Sequence, residues 1–119
     1  MILIVLLRRR PAVLVQWLDP TYALRWQIAE LAAQHLLPSV YEVQDYVVAG
    51  VLMSYGMNYR EILRWGTTYV DRILRGAQPK DLPVEQASKF ELVINLKAAK
   101  AIGVTVPEPL LLRADKVIE

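Results

Sequence analysis

The chain has 119 residues, 55% hydrophobic and 22% charged, and its 14 Lys and Arg against 12 Asp and Glu leave a formal charge of +2. That length suits one domain burying roughly two thirds of its unfolded surface, and high apolar content at low net charge excludes intrinsic disorder. Absence of cysteine removes disulfide scaffolds, thiol catalysis and Cys-held metal centres, and the single cluster Arg8-Arg9-Arg10 is too small for a nucleic-acid surface.

Met1 to Leu7 is apolar, but the arginines follow it, the reverse of a secretory signal. It is also far short of the about 20 residues that span a bilayer. It reads as a short buried or edge strand. Ala12 to Gln16 is a second strand. Asp19-Pro20 then starts a helix, with Asp19 as cap and proline in the first turn. Its stripe is Leu24, Ile28, Leu31 and His35, and Pro38 stops it. Ser39-Val40-Tyr41 is a third strand, and 43–48 is open between a helical turn and an extended connection. Val51 to Tyr55, between Gly50 and Gly56, is a fourth strand.

Asn58 and Glu61 have capping-box spacing. They introduce a helix with the apolar stripe Ile62, Leu63, Gly66, Tyr69, Val70, Ile73 and Leu74, closed by Gly76. Pro79 and Pro83 bracket a linker. Lys89 to Ile94 reads as a strand, Asn95 as the cap of a short helix through Ile102, and Pro107 and Pro109 as the start of a last helix through about Ile118. Alternating strands and helices predict an α/β fold, a partial doubly wound, mostly parallel sheet with flanking helices.

Little catalytic chemistry is legible. His35 is the only histidine, and its place in the last turn of a helix suits a cation at the negative end of the dipole. No serine lies in a nucleophile elbow, and the five glycines match neither the dinucleotide fingerprint nor the P-loop. An enzyme is therefore not expected, and no cofactor or metal is implied. Asp19, Glu42 and Asp45 follow predicted strands, and ligands of parallel sheets bind at the carboxyl ends of strands. Asp19 is accounted for by capping, whereas Glu42 has no local duty. Tyr41 and Tyr55 also stand at strand ends. The candidate ligand-binding residues are Asp19, Tyr41, Glu42 and Tyr55, the carboxylates meeting an ammonium group and the tyrosines stacking on the solute.

Gly50-Val51-Leu52-Met53-Ser54-Tyr55-Gly56, Tyr69 to Ala77, Asp81 to Gln86, Lys89 to Lys97 and Leu110 to Glu119 resemble the C-terminal portion of ABC-transporter solute-binding proteins. The subgroup is the one with the type I periplasmic-binding fold, similar to tryptophan and tyrosine binders. The resemblance covers nearly everything from Ala12 onward and leaves residues 1–11 as an atypical N-terminal strand. It implies a non-enzymatic solute-binding component, or a fragment of one, taking a small organic or amino-acid-like solute and working with the transporter's membrane subunit. It also implies that 12–42 belongs to one lobe, 51–76 to another, and 84–119 returns to the first, with hinge-like connections near 43–50 and 77–88.

A periplasmic location follows from the resemblance, and a cytoplasmic one is the alternative because the chain as written carries no export signal. Strand edges and helix faces that intact relatives would cover predict a homo-oligomer, a dimer with shared elements, and Ile2 to Leu7 is the strand expected to bridge or cover an edge. The other readings are a self-assembling structural module without ligand binding, or a sensing domain of the same fold.

Overall fold

The computed structural model describes residues 2–7, 10–15, 20–85 and 89–119, with side chains from Thr21 onward. Among these residues six strands form one sheet in sequence order: β1 (Ile2–Leu7), β2 (Arg10–Val15), β3 (Ser39–Tyr41), β4 (Met53–Met57), β5 (Phe90–Asn95) and β6 (Lys116–Ile118). The β2–β3, β3–β4 and β5–β6 pairs are parallel, and β1–β2 and β4–β5 antiparallel. The sheet is thus mostly parallel, as the alternation of elements predicts. The N-terminal apolar run covers the edge of β2, with Ile2 opposite Val15 and Leu7 opposite Arg10.

Among the described residues five helices accompany the sheet: α1 (Arg25–Gln34), α2 (Gln44–Ala49), α3 (Tyr59–Leu74), α4 (Leu96–Ala101) and α5 (Glu108–Leu111). A 3-10 turn over Pro20–Leu24 precedes α1, and Asp19 lies outside the described residues. The stripe expected to bury α1 turns inward only in part: Ile28 packs against the core, Leu24 and Leu31 are exposed, and Ala29 and Ala32 take the buried positions. Small side chains win because α1 packs on α2, and the Ala29 methyl lies 4.0 Å from where a Cβ on Gly50 would stand. Between large side chains two helices could not approach so closely.

The segment the sequence leaves open is α2, closed by Gly50 in the left-handed conformation (φ 116°). The hinge-like span near 43–50 is therefore occupied by a helix. The span near 77–88 holds a 3-10 turn at Pro79–Asp81, and 86–88 lies outside the described residues. The fourth strand is shifted two residues from its expected start, so Gly56 sits inside it rather than after it. The final helix is the other correction. It stops at Leu111, and the chain re-extends as β6, because Asp115 exchanges two hydrogen bonds with Leu92: Asp115 N donates to Leu92 O at 2.9 Å, and Leu92 N donates to Asp115 Oδ2 at 2.8 Å. That partner is 23 residues away, beyond the reach of any local pattern.

The core gathers Ala29, Tyr41, Val43, Tyr46, Val47, Val51 and Val93 between α1, α2 and the sheet. Tyr41 is 1% exposed and stacks on Tyr46 with ring centroids 4.4 Å apart. Burial raises the Tyr41 pKa, and the Ser39 hydroxyl pulls it back only in part; neither oxygen completes a hydrogen bond of good geometry. The folded state therefore holds the phenolic proton more tightly than the unfolded state does. Tyr41's share of stability is intact below the unfolded pKa, about 10, and is lost as pH rises above it. Tyr41→Phe is expected to raise stability by about 1 kcal/mol at neutral pH and to remove that alkaline loss, as read from urea unfolding at pH values on both sides of 10.

By contrast α3 buries none of its 16 residues, although β4, from the same stretch of sequence, lies in the middle of the sheet. Among the described residues no other element packs substantially against it. The radius of gyration is accordingly 17.4 Å, against about 13.5 Å for a compact chain of this length. Among the described residues no helix is long and apolar enough to cross a membrane.

Candidate functional site

The parallel β3–β4 pair brings Tyr41 beside Ser54, so the residue after β3, Glu42, reaches the far end of β4. There it meets Gly56. A Cβ at Gly56 would lie 2.0 Å from the Glu42 carbonyl oxygen and 2.9 Å from its Cγ. The missing side chain is what lets the Glu42 main chain cross β4 at this point, and the crossing fixes where the Glu42 carboxylate stands.

Two adjoining hollows open here. The smaller, about 60 Å³, is lined by Glu42, Asp45, Ser54, Gly56, Asn58 and Glu91 among others. The larger, about 460 Å³, is walled by Tyr22, Val43, Asp45, Tyr59, Arg60 and Leu63. They share Val43, Asp45, Tyr59 and Arg60, so they form one cleft, acidic at its inner end and apolar at its outer end. The larger volume lies within the range of small-ligand sites.

Three carboxylates line this cleft, each beside a neutral hydroxyl or amide. Asp45, in the first turn of α2 where the helix dipole favours negative charge, accepts from the Tyr22 hydroxyl at 2.5 Å. That bond is the main cause that raises the Tyr22 pKa, with burial second. Glu91, on β5, accepts from Asn58 Nδ2 at 2.6 Å. The Tyr59 hydroxyl stands beside Glu42, and its pKa is raised by burial first, then by the Glu42 charge and by hydrogen bonding to it. The ion pair among the described residues is Asp71–Arg75, away from the cleft. Glu42, Asp45 and Glu91 against Arg60 give 1 − 3 = −2 on the lining, a field that concentrates cations. The Arg25 guanidinium stacks 4.7 Å over the Tyr22 ring and donates to the Tyr22 carbonyl at 3.0 Å, fixing that wall. No group of three His, Asp or Glu side chains among the described residues is placed to hold a metal ion.

Of the residues singled out from sequence, Glu42 lines the cleft. Tyr41 is in the core, stacked on Tyr46. Tyr55 is 58% exposed and stacks on Phe90 at 5.5 Å; alternation along β4 turns it to the opposite face from Ser54 and Gly56. Asp19 lies outside the described residues. Sequence reasoning passed over Tyr22, Asn58, Tyr59 and Glu91 as lining residues. For Glu91 a signal existed: it is the one charge inside an otherwise apolar strand, two residues from the buried Val93 and on the same face.

The family model for ABC transporter substrate binding proteins matches residues 13–118, and comparison with curated proteins finds no match. A conserved domain protein from Vibrio cholerae O1 biovar El Tor is similar at 30% identity and TM-score 0.82, over 89% of this chain and 36% of its own. An ABC domain from Streptococcus pneumonia, solved with L-Trp, is 26% identical at TM-score 0.75, over 84% and 35%. A ligand-free, open substrate-binding protein with adhesive properties from Clostridium difficile shares the fold at 20% identity and TM-score 0.61, over 90% and 36%. The chain spans about a third of the length of each of these solved proteins. With nearly all of its length matched by the family model, the chain belongs to the ABC transporter substrate-binding protein family.

Proposed function

We propose that this chain is a non-enzymatic solute-binding portion of an ABC-transporter substrate-binding protein, and that its cleft takes a small amino-acid-like solute bearing an ammonium group. The solute's ammonium group meets Glu42 and Glu91, and its apolar body lies against Tyr59, Tyr22 and Leu63. In this reading the intact protein works outside the cytoplasmic membrane and delivers solute to the transporter's membrane subunit. The observation that supports it most is the set of three carboxylates at the closed end of an apolar cleft, each beside a neutral hydroxyl or amide. A carboxylate that already had a cationic partner would gain little from an ammonium; these have charge to offer.

L-Trp, the ligand of the Streptococcus relative, is the first probe. Calorimetric titration is expected to show binding that weakens at least about tenfold in Glu42→Gln, the loss of one charge-assisted hydrogen bond. Indole-3-propionate, which lacks the ammonium group, should not bind, and Tyr55→Ala, on the other face of the sheet, should bind as the parent does. Unchanged affinity in Glu42→Gln would remove Glu42 from the site, and equal binding of indole-3-propionate would remove the ammonium contact.

A further inference from the structure

We propose that Arg60 is a specificity-determining residue of the cleft: its guanidinium receives the carboxylate of the solute, so that the site selects a zwitterion, an α-amino acid, over the amine with the same side chain. This rests on the reading of the cleft given above and adds a second pole to it. The first observation is how Arg60 is partnered. It lines both hollows and is the one cation among their lining residues. Yet among the described residues its guanidinium makes no ion pair and no hydrogen bond. Asp45 accepts from Tyr22 and Glu91 from Asn58, and Glu42 has Tyr59 beside it. Three carboxylates thus share a cleft with an arginine and leave it unpaired.

The second observation is that nothing in the helix favours an arginine at this place. Arg60 is the second residue of α3, where the positive end of the dipole opposes a cation. Four residues on, along the same face, stands Arg64, a like charge that adds to the cost. Leu63, three residues on, offers no carboxylate, and Glu61, the immediate neighbour, does not share the face. The side chain is exposed, so no burial of its stem offsets these costs. A residue that its local context opposes is the kind expected where a binding site requires it.

Size and charge indicate what Arg60 receives. The smaller hollow, about 60 Å³, has at about 30 Å³ per water the capacity of two small polar groups, such as an ammonium and a carboxylate on one carbon. Acidic residues and Arg60 line it together, so each charge of that head group finds its opposite there. The larger, apolar hollow takes the side chain. A planar guanidinium meets a carboxylate through two parallel hydrogen bonds. It also binds phosphate, but the net −2 of the lining opposes a dianion, whereas a zwitterion brings its own cation. Without Arg60 the three carboxylates would leave −3 on the lining, a field that favours the bare amine.

The test is calorimetric titration of the full chain with L-Trp and with tryptamine, which keeps the indole and the ammonium and lacks the carboxylate. The parent is expected to bind L-Trp at least about tenfold more tightly, the contribution of one charge-assisted contact. In Arg60→Gln that preference should vanish or reverse, with far-UV circular dichroism unchanged. Glu42→Gln should weaken both ligands alike and keep the parent's ratio, so the ratio is a readout that a merely structural role of Arg60 would not move. Equal binding of the two ligands by the parent, with both weakened in Glu42→Gln, overturns the role of Arg60 and leaves the reading of the cleft standing. A preference for L-Trp that survives in Arg60→Gln does the same. A chain that binds neither ligand overturns both.

Discussion

Gly56→Ala is expected to lower stability by about 3 kcal/mol and to abolish solute binding together with it. The added methyl would lie 2.0 Å from a main-chain oxygen and 2.8 Å from the attached carbonyl carbon, well inside van der Waals contact. A flexible side chain could swing away, but the Glu42 backbone cannot. It is held by β3 on one side, where Tyr41 pairs beside Ser54, and on the other by the start of α2, whose Tyr46 and Val47 are buried. Relief therefore requires the β3–β4 pair to separate or the turn before α2 to be rebuilt, and either moves Glu42 and Asp45 out of the cleft. Urea unfolding measures the first effect and calorimetry the second. A midpoint within about 0.5 kcal/mol of the parent would show that the crossing is looser than described.

The second large effect is at Asn95. This side chain is 7% exposed and serves two elements at once. Its Oδ1 accepts from Ala98 N at 2.9 Å, capping α4, and its Nδ2 donates to Val47 O at 3.2 Å, near the end of α2. Asn95→Ala removes the cap, worth about 1 kcal/mol, and takes one of two donors from the Val47 carbonyl, which still accepts from Gly50 N at 3.1 Å, at a further cost of about 0.5–1.5 kcal/mol. The expected loss is about 1.5–2.5 kcal/mol in total. Asn95→Asp separates the two duties, because it keeps a capping oxygen and loses the donor. If Asn95→Asp is as stable as the parent, the link to α2 contributes nothing and capping is the whole role.

What the sequence determines here is local. Asn58 and Asn95 announce the starts of α3 and α4 through the polar side chain a free helix N-terminus requires: Asn58 Oδ1 accepts from Arg60 N and Glu61 N. Gly76 and Gly103 mark helix ends by adopting positive φ, Ser39 to Tyr41 forms the predicted strand residue for residue, and Glu42 is legible as a carboxylate beyond a strand with no local partner. The tertiary structure decides whatever depends on residues far apart in the chain. It turns Leu24 and Leu31 of α1 outward because two helices meet there through alanines, and it extends 116–118 as a strand because Leu92 reaches Asp115. It also sends Tyr41 into the core and Tyr55 to the opposite face, since one-residue alternation along a strand fixes which side of a sheet each residue occupies. The cleft belongs to this second class. Asp45, Asn58 with its neighbour Tyr59, and Glu91 come from three segments, and only the packing of α2 and β4 against β5 brings their polar groups to one place, where no periodicity in the chain records their neighbourhood.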